Sequence, residues 1–154
     1  MSVEPFKTAE GSDHPYCRQL SVFLENRVGQ LLRIARLLED EPVHILGLSV
    51  DAAADCAIVR LLVDDPDLAH QILTDAHFAL SESEVLVIPL PDGKRGILTV
   101  CSALIAGEVN INYVYTVWAT REQLPCLAIR VDDIQGAIRV LVGKKFRVLD
   151  QSEL

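Results

Sequence analysis

The sequence predicts an α+β chain of two ferredoxin-like βαββαβ units packed side by side, each an antiparallel sheet with its helices on one face. Three observations predict it. Leu20–Leu38, LSVFLENRVGQLLRIARLL, passes from an apolar strand through a polar turn into a helix. In that helix Leu31, Ile34, Ala35, Leu37 and Leu38 recur at helical spacing, and Arg33, Arg36 and Glu39 take the other side. Leu86–Ile105, LVIPLPDGKRGILTVCSALI, follows the same course. The two stretches also keep a nearly fixed separation. Gly96 and Leu98 stand 67 positions after Gly29 and Leu31, and Val131, Asp132, Asp133, Ala137, Leu141 and Phe146 stand 68 after Val63, Asp64, Asp65, Ala69, Leu73 and Phe78. Such spacing across several elements marks an internal duplication. The expected organisation is a polar lead-in over 1–15, a first unit over 16–84 and a second over 85–154.

Taken in order, the first unit opens on a strand at Tyr16–Glu25. Its helix, Val28–Glu39, is stopped by Asp40-Glu41-Pro42. Val43–Asp51 and Cys56–Val63 read as strands joined through Ala52-Ala53-Ala54-Asp55. Asp64-Asp65-Pro66 starts a helix that runs to about Ala76, with an acidic cap and a proline in the first turn. Phe78–Ser81 is the fourth strand, and Glu82-Ser83-Glu84 closes the unit. The second unit repeats this with strands at Val85–Leu90, Val109–Trp118, Pro125–Val131 and Phe146–Leu149. Its helices are Gly96–Ala106 and the segment from Asp132-Asp133 to near Gly143. The linker is almost absent, so the units are expected to pack rigidly, sheets edge to edge through their second strands.

Composition excludes several classes. The formal net charge is −8 and the pI about 4.9, which repels nucleic-acid phosphates and anionic lipid. Neither nucleic acid nor membrane is an expected partner, because charges and prolines interrupt every apolar run. The first fourteen residues lack the apolar core of a signal peptide, and a cytoplasmic location is expected. Cys17, Cys56, Cys101 and Cys126 form no CxxC pair and no zinc spacing with histidine, so no metal is expected. Cys56, Cys101 and Cys126 fall in apolar runs and read as core, whereas Cys17, at a strand start, reads as accessible. The Asp64-Asp65 and Asp132-Asp133 pairs are explained by helix starts. Tyr113, Tyr115 and Trp118 read as one face of one strand, suited to packing or self-association. No partnered nucleophile, catalytic acid pair or cofactor motif is present, and the chain reads as non-catalytic.

The chemically interesting point is the turn at Glu25-Asn26-Arg27-Val28-Gly29. Asn26 can cap the following helix. Gly29 lets a ligand approach the backbone, and the first helical N–H groups and the helix dipole favour a carboxylate there. The bland alternative is an ordinary strand-to-helix connection.

With the order βαββαβ, the turn ENRVGQL at Glu25–Leu31, and Pro42-Val43-His44-Ile45 leading into the second strand, the chain resembles the ACT domain. That is a small regulatory module of amino-acid metabolism. The second repeat shows the same marks in Gly96-Ile97-Leu98 and in Glu108-Val109-Asn110-Ile111-Asn112. The turn is similar to that of the regulatory domain of phosphoglycerate dehydrogenase, with Val28 where that pattern has proline. The resemblance covers Tyr16–Leu154 and implies a stand-alone, allosteric, amino-acid-binding protein. It implies an effector between two units, held by the turn of one and the second strand of the other. The implied site joins Asn26, Arg27, Val28, Gly29, Gln30 and Leu31 to Asn110, Ile111 and Asn112. Turn amides take the carboxylate, and asparagines serve ammonium and carboxylate. The reciprocal, weaker site joins Gly93, Lys94, Arg95, Gly96 and Ile97 to His44 and Ile45, with Gly93 in place of Asn26 and His44 in place of Asn110. The expected partners are a free amino acid, a second copy in a homodimer, and an amino-acid biosynthetic enzyme. The alternative is a structural module with a vestigial site that oligomerises or docks on an enzyme. An acylphosphatase-like enzyme, suggested by Arg27 beside Asn26, does not fit the duplication.

Overall fold

The computed structural model describes residues 15–25 and 27–154. Among them the chain forms β1 (Cys17–Glu25), α1 (Gln30–Glu39), β2 (Ile45–Ala52), β3 (Cys56–Val63), α2 (Pro66–Asp75) and β4 (Ala79–Pro89). It continues with α3 (Gly96–Ala106), β5 (Ile111–Ala119), β6 (Leu124–Val131), α4 (Ile134–Gly143) and a final 3₁₀ turn at Gln151–Glu153. The lead-in up to residue 14, and Asn26, lie outside the described residues.

The strands make one antiparallel sheet in the order β2-β3-β1-β4-β6-β5. Strand alternation divides the apolar residues between its two faces. Leu20, Val22 and Leu24 of β1 pack with Ile34 and Leu38 of α1 and with Ala69 and Leu73 of α2. Leu86 and Ile88 of β4 pack in the same way with Val100 and Leu104 of α3 and with Ala137 and Leu141 of α4. Each fully buried leucine or isoleucine here contributes roughly 1.5–3 kcal/mol by leaving water. The opposite face, with Cys17, Leu62, Val85, Val87, Val117 and Cys126, closes on itself in a third core between the units. The helices therefore lie on one face of a curled sheet, and the fold class matches the expectation.

The joint between the units differs from the edge-to-edge contact expected of the second strands. It is β4 itself. Residues 79–85 pair with β1 and residues 86–89 with β6. Glu82-Ser83-Glu84 looks like a break in composition but continues the strand, paired with Leu20, Gln19 and Arg18. Arg18 donates to the Glu82 carboxylate at 2.8 and 3.0 Å, which makes the charge tolerable there. The end strands β2 and β5 do approach each other, without a hydrogen-bonded ladder. A Cβ at Gly47 would lie 2.8 Å from the Thr116 carbonyl oxygen, so glycine is required at that crossing.

Other elements shift by small amounts. The strand expected at Phe146–Leu149 is reduced to a single bridge from Leu149 to Val87. The acidic tail is not a solvated run. Gln151 donates to the Val63 carbonyl oxygen at 3.1 Å and accepts from the Arg18 N–H at 3.0 Å, while Leu154 is buried in the inner core. Arg147, bonded to Glu122 and Glu153, fixes the tail to the β5–β6 hairpin.

A polar network crosses the inner core. Gln19 is fully buried; its Nε2 donates to the Tyr113 hydroxyl at 2.7 Å, and its Oε1 accepts from the Tyr115 hydroxyl at 2.7 Å. The Arg60 guanidinium lies over the Tyr113 ring, 3.9 Å from its centroid. Burial pushes the Tyr115 hydroxyl pKa upward, so the phenol stays a donor. Trp118 does not share this face, contrary to the sequence reading. It stands three positions after Tyr115, an odd step along the strand, and it emerges half-exposed on the helix-bearing side.

Candidate functional site

The turn after β1 is built as a backbone feature. Gly29 has φ 89°, a left-handed conformation that favours glycine, and it is the N-cap of α1. The helix thus begins two residues later than read from the sequence, and its N-cap is Gly29 rather than Asn26. Among the described residues no side-chain cap bond serves α1, and none serves α3, whose N-cap is Arg95. The other two helices are capped: Asp65 accepts from Leu68 N–H at 3.1 Å and Asp133 from Gly136 N–H at 3.0 Å. Among the described residues no side chain caps the opening amides of the helices that follow the first strand of each unit.

The start of β5 carries a side-chain cluster. Asn110 Nδ2 donates to Asp132 Oδ2 at 2.8 Å and to Asn112 Oδ1 at 3.3 Å. Side-chain hydrogen bonding to Asp132, from Asn110 first and Asn112 second, holds its carboxyl below the ordinary pKa. The start of β2 repeats the design. Asp64 accepts from the His44 N–H at 2.7 Å and lies 2.8 Å from its Nδ1. In each acidic pair, then, the second aspartate caps a helix and the first clamps the preceding strand. The sequence reading gave both to the helix and missed the bonds of Asp64 to His44 and of Asp132 to Asn110; their match across the repeat was the available signal.

The repeat spacing also needs correcting at the turns. Gln30 N–H donates to Arg27 O, and Arg33 N–H to Gly29 O; Gly96 N–H donates to Gly93 O, and Thr99 N–H to Arg95 O. Structural counterparts are therefore 66 apart, and Gly96 answers Gln30 rather than Gly29. Gly96 is glycine for a different reason, since a Cβ there would meet the Pro91 carbonyl oxygen at 2.5 Å. Gly93 is left-handed at φ 92°.

The two halves of the first expected site line separate hollows within one chain. Gly29 borders a 400 Å³ hollow with Leu32, Arg33, Arg36 and Leu37. Asn110 and Asp132 border another of 400 Å³ with Glu108, Asp133 and Arg139. His44 and Asp64 face a 660 Å³ cavity shared with Thr120, Arg121 and Gln151. Lys94, Arg95 and Ile97 are exposed, and Ile45 packs against the first core.

Elsewhere two thiols exchange places with the reading: Cys17 is buried and Cys56 exposed, while Cys126 is buried as read and Cys101 only partly so. Burial pushes the Cys17 and Cys126 pKa values up. His70 pairs with Glu82 at 3.1 Å. Among the described residues no group of histidine, cysteine and acids is arranged to hold a metal, and no helix is long and apolar enough to cross a membrane.

Two βαββαβ units joined through one strand, with paired turns and strand starts, define a tandem ferredoxin-like module. The family model for the ACT domain pair matches residues 16–154, and the chain belongs to that family. It is similar to a protein of Bacteroides thetaiotaomicron of known structure, with 33% identity, TM-score 0.80, and coverage of 90% of this chain and 94% of that one. It shares its fold with the regulatory subunit of aspartate kinase from Thermus thermophilus in ligand-free form, at 12% identity and TM-score 0.56 over 85% and 93% of the two chains. The corresponding subunit from Thermus flavus gives TM-score 0.52 at 11% identity, over 85% and 93%. No curated protein matches the chain.

Proposed function

We propose that the chain is a non-catalytic regulator that binds a free α-amino acid and divides into units at 16–84 and 85–154. The carrying observation is the Asn110–Asn112–Asp132 cluster, whose carboxylate is held anionic and exposed at the start of β5. It offers acceptors to an ammonium. The α1 start, with Arg27, Val28, Gly29, Gln30 and Leu31 and no side-chain cap among the described residues, supplies amides for the carboxylate. Asn26, outside the described residues, is placed at that turn by the family resemblance, and Ile111 lies between the two asparagines. The turn Gly93–Ile97 with His44 and Ile45 forms the second site. Membership of the ACT domain pair family supports the amino-acid reading. Regulatory subunits of aspartate kinase that share the fold support regulation of an amino-acid biosynthetic enzyme in the cytoplasm, with the protein acting as a homodimer.

Hydrogen bonds to charged groups contribute about 1.5–3 kcal/mol each, offset by the ordering cost of association, which gives micromolar to millimolar affinity. The test is a thermal-shift screen of the twenty amino acids, followed by calorimetry. A ligand at 100 times its dissociation constant stabilises the fold by about 2.7 kcal/mol. Asn110→Ala and Asp132→Asn should each remove most of that gain. Absence of stabilisation by every amino acid sinks the reading.

A further inference from the structure

The 660 Å³ cavity beside His44 draws on both units and on the tail. Four other hollows, of 280 to 710 Å³, each draw on a single unit. Its size falls within the range of about 300–1,000 Å³ typical of small-molecule sites. The position follows from the crossing of the end strands at Gly47 and Thr116. His44 stands three positions before that glycine and Thr120 four after that threonine, and both line the cavity. Gln151, bonded to the Val63 carbonyl oxygen and the Arg18 N–H, brings the tail against it. The hairpin on its border differs between the units. Four residues, 120–123, join β5 to β6, whereas three, 53–55, join β2 to β3. Ala53 and Ala54 stand where the longer hairpin carries Thr120 and Arg121. Gln123 closes that hairpin at φ 53°, a left-handed conformation unfavourable to a residue with a side chain.

Bonds already made divide the groups on its walls. Both Asp64 oxygens are engaged by His44, one by its N–H at 2.7 Å and one by its ring at 2.8 Å. A neutral His44 that donates from Nδ1 keeps Nε2 as an acceptor. Asp65 accepts from the Leu68 N–H with Oδ1, and its Oδ2 has no partner among the described residues. These two acceptors belong to the first unit. On the second unit Arg147 pairs with Glu122 and Glu153. Arg121 makes no ion pair, and the Thr120 hydroxyl no hydrogen bond, among the described residues. The tail adds no further polar demand, because Gln151 is bonded at both ends of its amide and the Ser152 hydroxyl donates to Asp150. Acceptors without partners therefore come from one unit and donors without partners from the other. Pro42 and Leu154 supply apolar lining.

We propose that this cavity binds an aliphatic molecule with an ammonium at one end and a carboxylate at the other, held across the seam between the units. Arg121 and Thr120 take the carboxylate, and Asp65 Oδ2 and His44 Nε2 take the ammonium. The aliphatic carbons lie against Pro42 and Leu154. Because the acceptors and the donors belong to different units, the two charges of the ligand stand apart along its chain. An α-amino acid carries both on one carbon and suits the asparagine cluster and the α1 turn instead. Occupancy ties the start of β2 to the β5–β6 hairpin, two end strands that no hydrogen-bonded ladder joins. The site rests neither on the amino-acid reading nor on a second copy. It shares His44 with the weaker amino-acid site and no other residue.

Titration of the full chain with ε-aminocaproate, followed by amide NMR, tests it, with caproate and hexylamine as single-charge controls. The dipolar compound should bind at least about tenfold more tightly than either control and shift the amides of His44, Asp65, Thr120 and Arg121. Arg121→Gln should weaken it about tenfold and leave hexylamine unchanged. Asp65→Ser keeps an oxygen to cap α2, so it should weaken the dipolar compound to a similar degree while leaving the helix and the binding of caproate unchanged. Circular dichroism confirms that each variant is folded. Equal affinity for the three compounds, parent affinity in Arg121→Gln, or shifts confined to residues 27–31, 93–97 and 110–112 overturns the site. An α-amino acid that stabilises the parent and Arg121→Gln alike, with ε-aminocaproate ignored, overturns this site and leaves the amino-acid reading standing. Binding of ε-aminocaproate with this dependence on Arg121, and of no α-amino acid, does the reverse.

Discussion

The buried Gln19 side chain has three hydrogen-bond partners, Ser21 on its own strand and Tyr113 and Tyr115 across the seam between the units. Replacing it by leucine keeps the volume roughly and strands the hydroxyls of Tyr113 and Tyr115 in the inner core. Each buried group left without a partner costs about 1–3 kcal/mol. Gln19→Leu should therefore lower the unfolding free energy in urea by about that amount or more; an unchanged midpoint would show that the network carries no stability. Gly47 acts at the same seam through absence. A Cβ there meets the Thr116 carbonyl oxygen at 2.8 Å, and backbone cannot step aside as a flexible side chain can. Gly47→Ala should destabilise by about 1–3 kcal/mol, read as a fall in melting temperature. Neither role was legible in the sequence. Gln19's tyrosine partners lie on β5, far along the chain, and Gly47 reads as a strand glycine until β5 is laid against it. The aspartates show the same limit: Asp64 and Asp132 stand beside true caps and look like them, and only the strand start brought back by folding separates clamp from cap.

At the scale of elements, the helices were legible because their apolar faces and acidic starts are local properties, and the strands because alternation is local too. The break expected at Glu82-Ser83-Glu84 failed because strand continuity there is decided by β1, far back in the chain, and by the Arg18 guanidinium, 64 positions before Glu82. The helix ends follow a rule that composition hides. Phe78 N–H reaches Leu73 O, Val109 N–H reaches Leu104 O, and Phe146 N–H reaches Leu141 O, each across a left-handed residue: His77, Glu108 and Lys145. Glycine usually holds that position. Lys145→Gly should accordingly stabilise the chain by roughly 0.5–1 kcal/mol, since relief of the left-handed strain exceeds the entropy that glycine adds to the unfolded state. A lowered melting temperature for that variant would contradict the assignment.

Across the whole molecule, three cores share one sheet, and the inner core draws on both units. Urea unfolding should be a single transition seen alike by tryptophan fluorescence, which reports Trp118 in the second unit, and by circular dichroism. Two separated transitions would mean the units are energetically independent. Acid should weaken the first unit through β4. Arg18 holds the Glu82 carboxyl below its ordinary pKa. The folded value is depressed, so this stabilisation is present above the unfolded value of about 4.3 and is lost as pH falls through the folded one. The stability difference between the parent and Arg18→Met should shrink over that fall, and a difference independent of pH would count against the pair.

The shared strand carries a consequence for how such a chain can change over generations. Along β4, Leu80, Leu86 and Ile88 turn toward helices while Val85 and Val87 turn inward. One phase of alternation runs through both units. Adding or deleting a single codon between positions 80 and 86 would leave each unit's own residues intact yet put one of them out of phase with the other, exchanging inside for outside along half the strand. Lineages should therefore accumulate insertions at the β2–β3 and β5–β6 hairpins, where the repeats already differ in length, and substitutions alone across the joint.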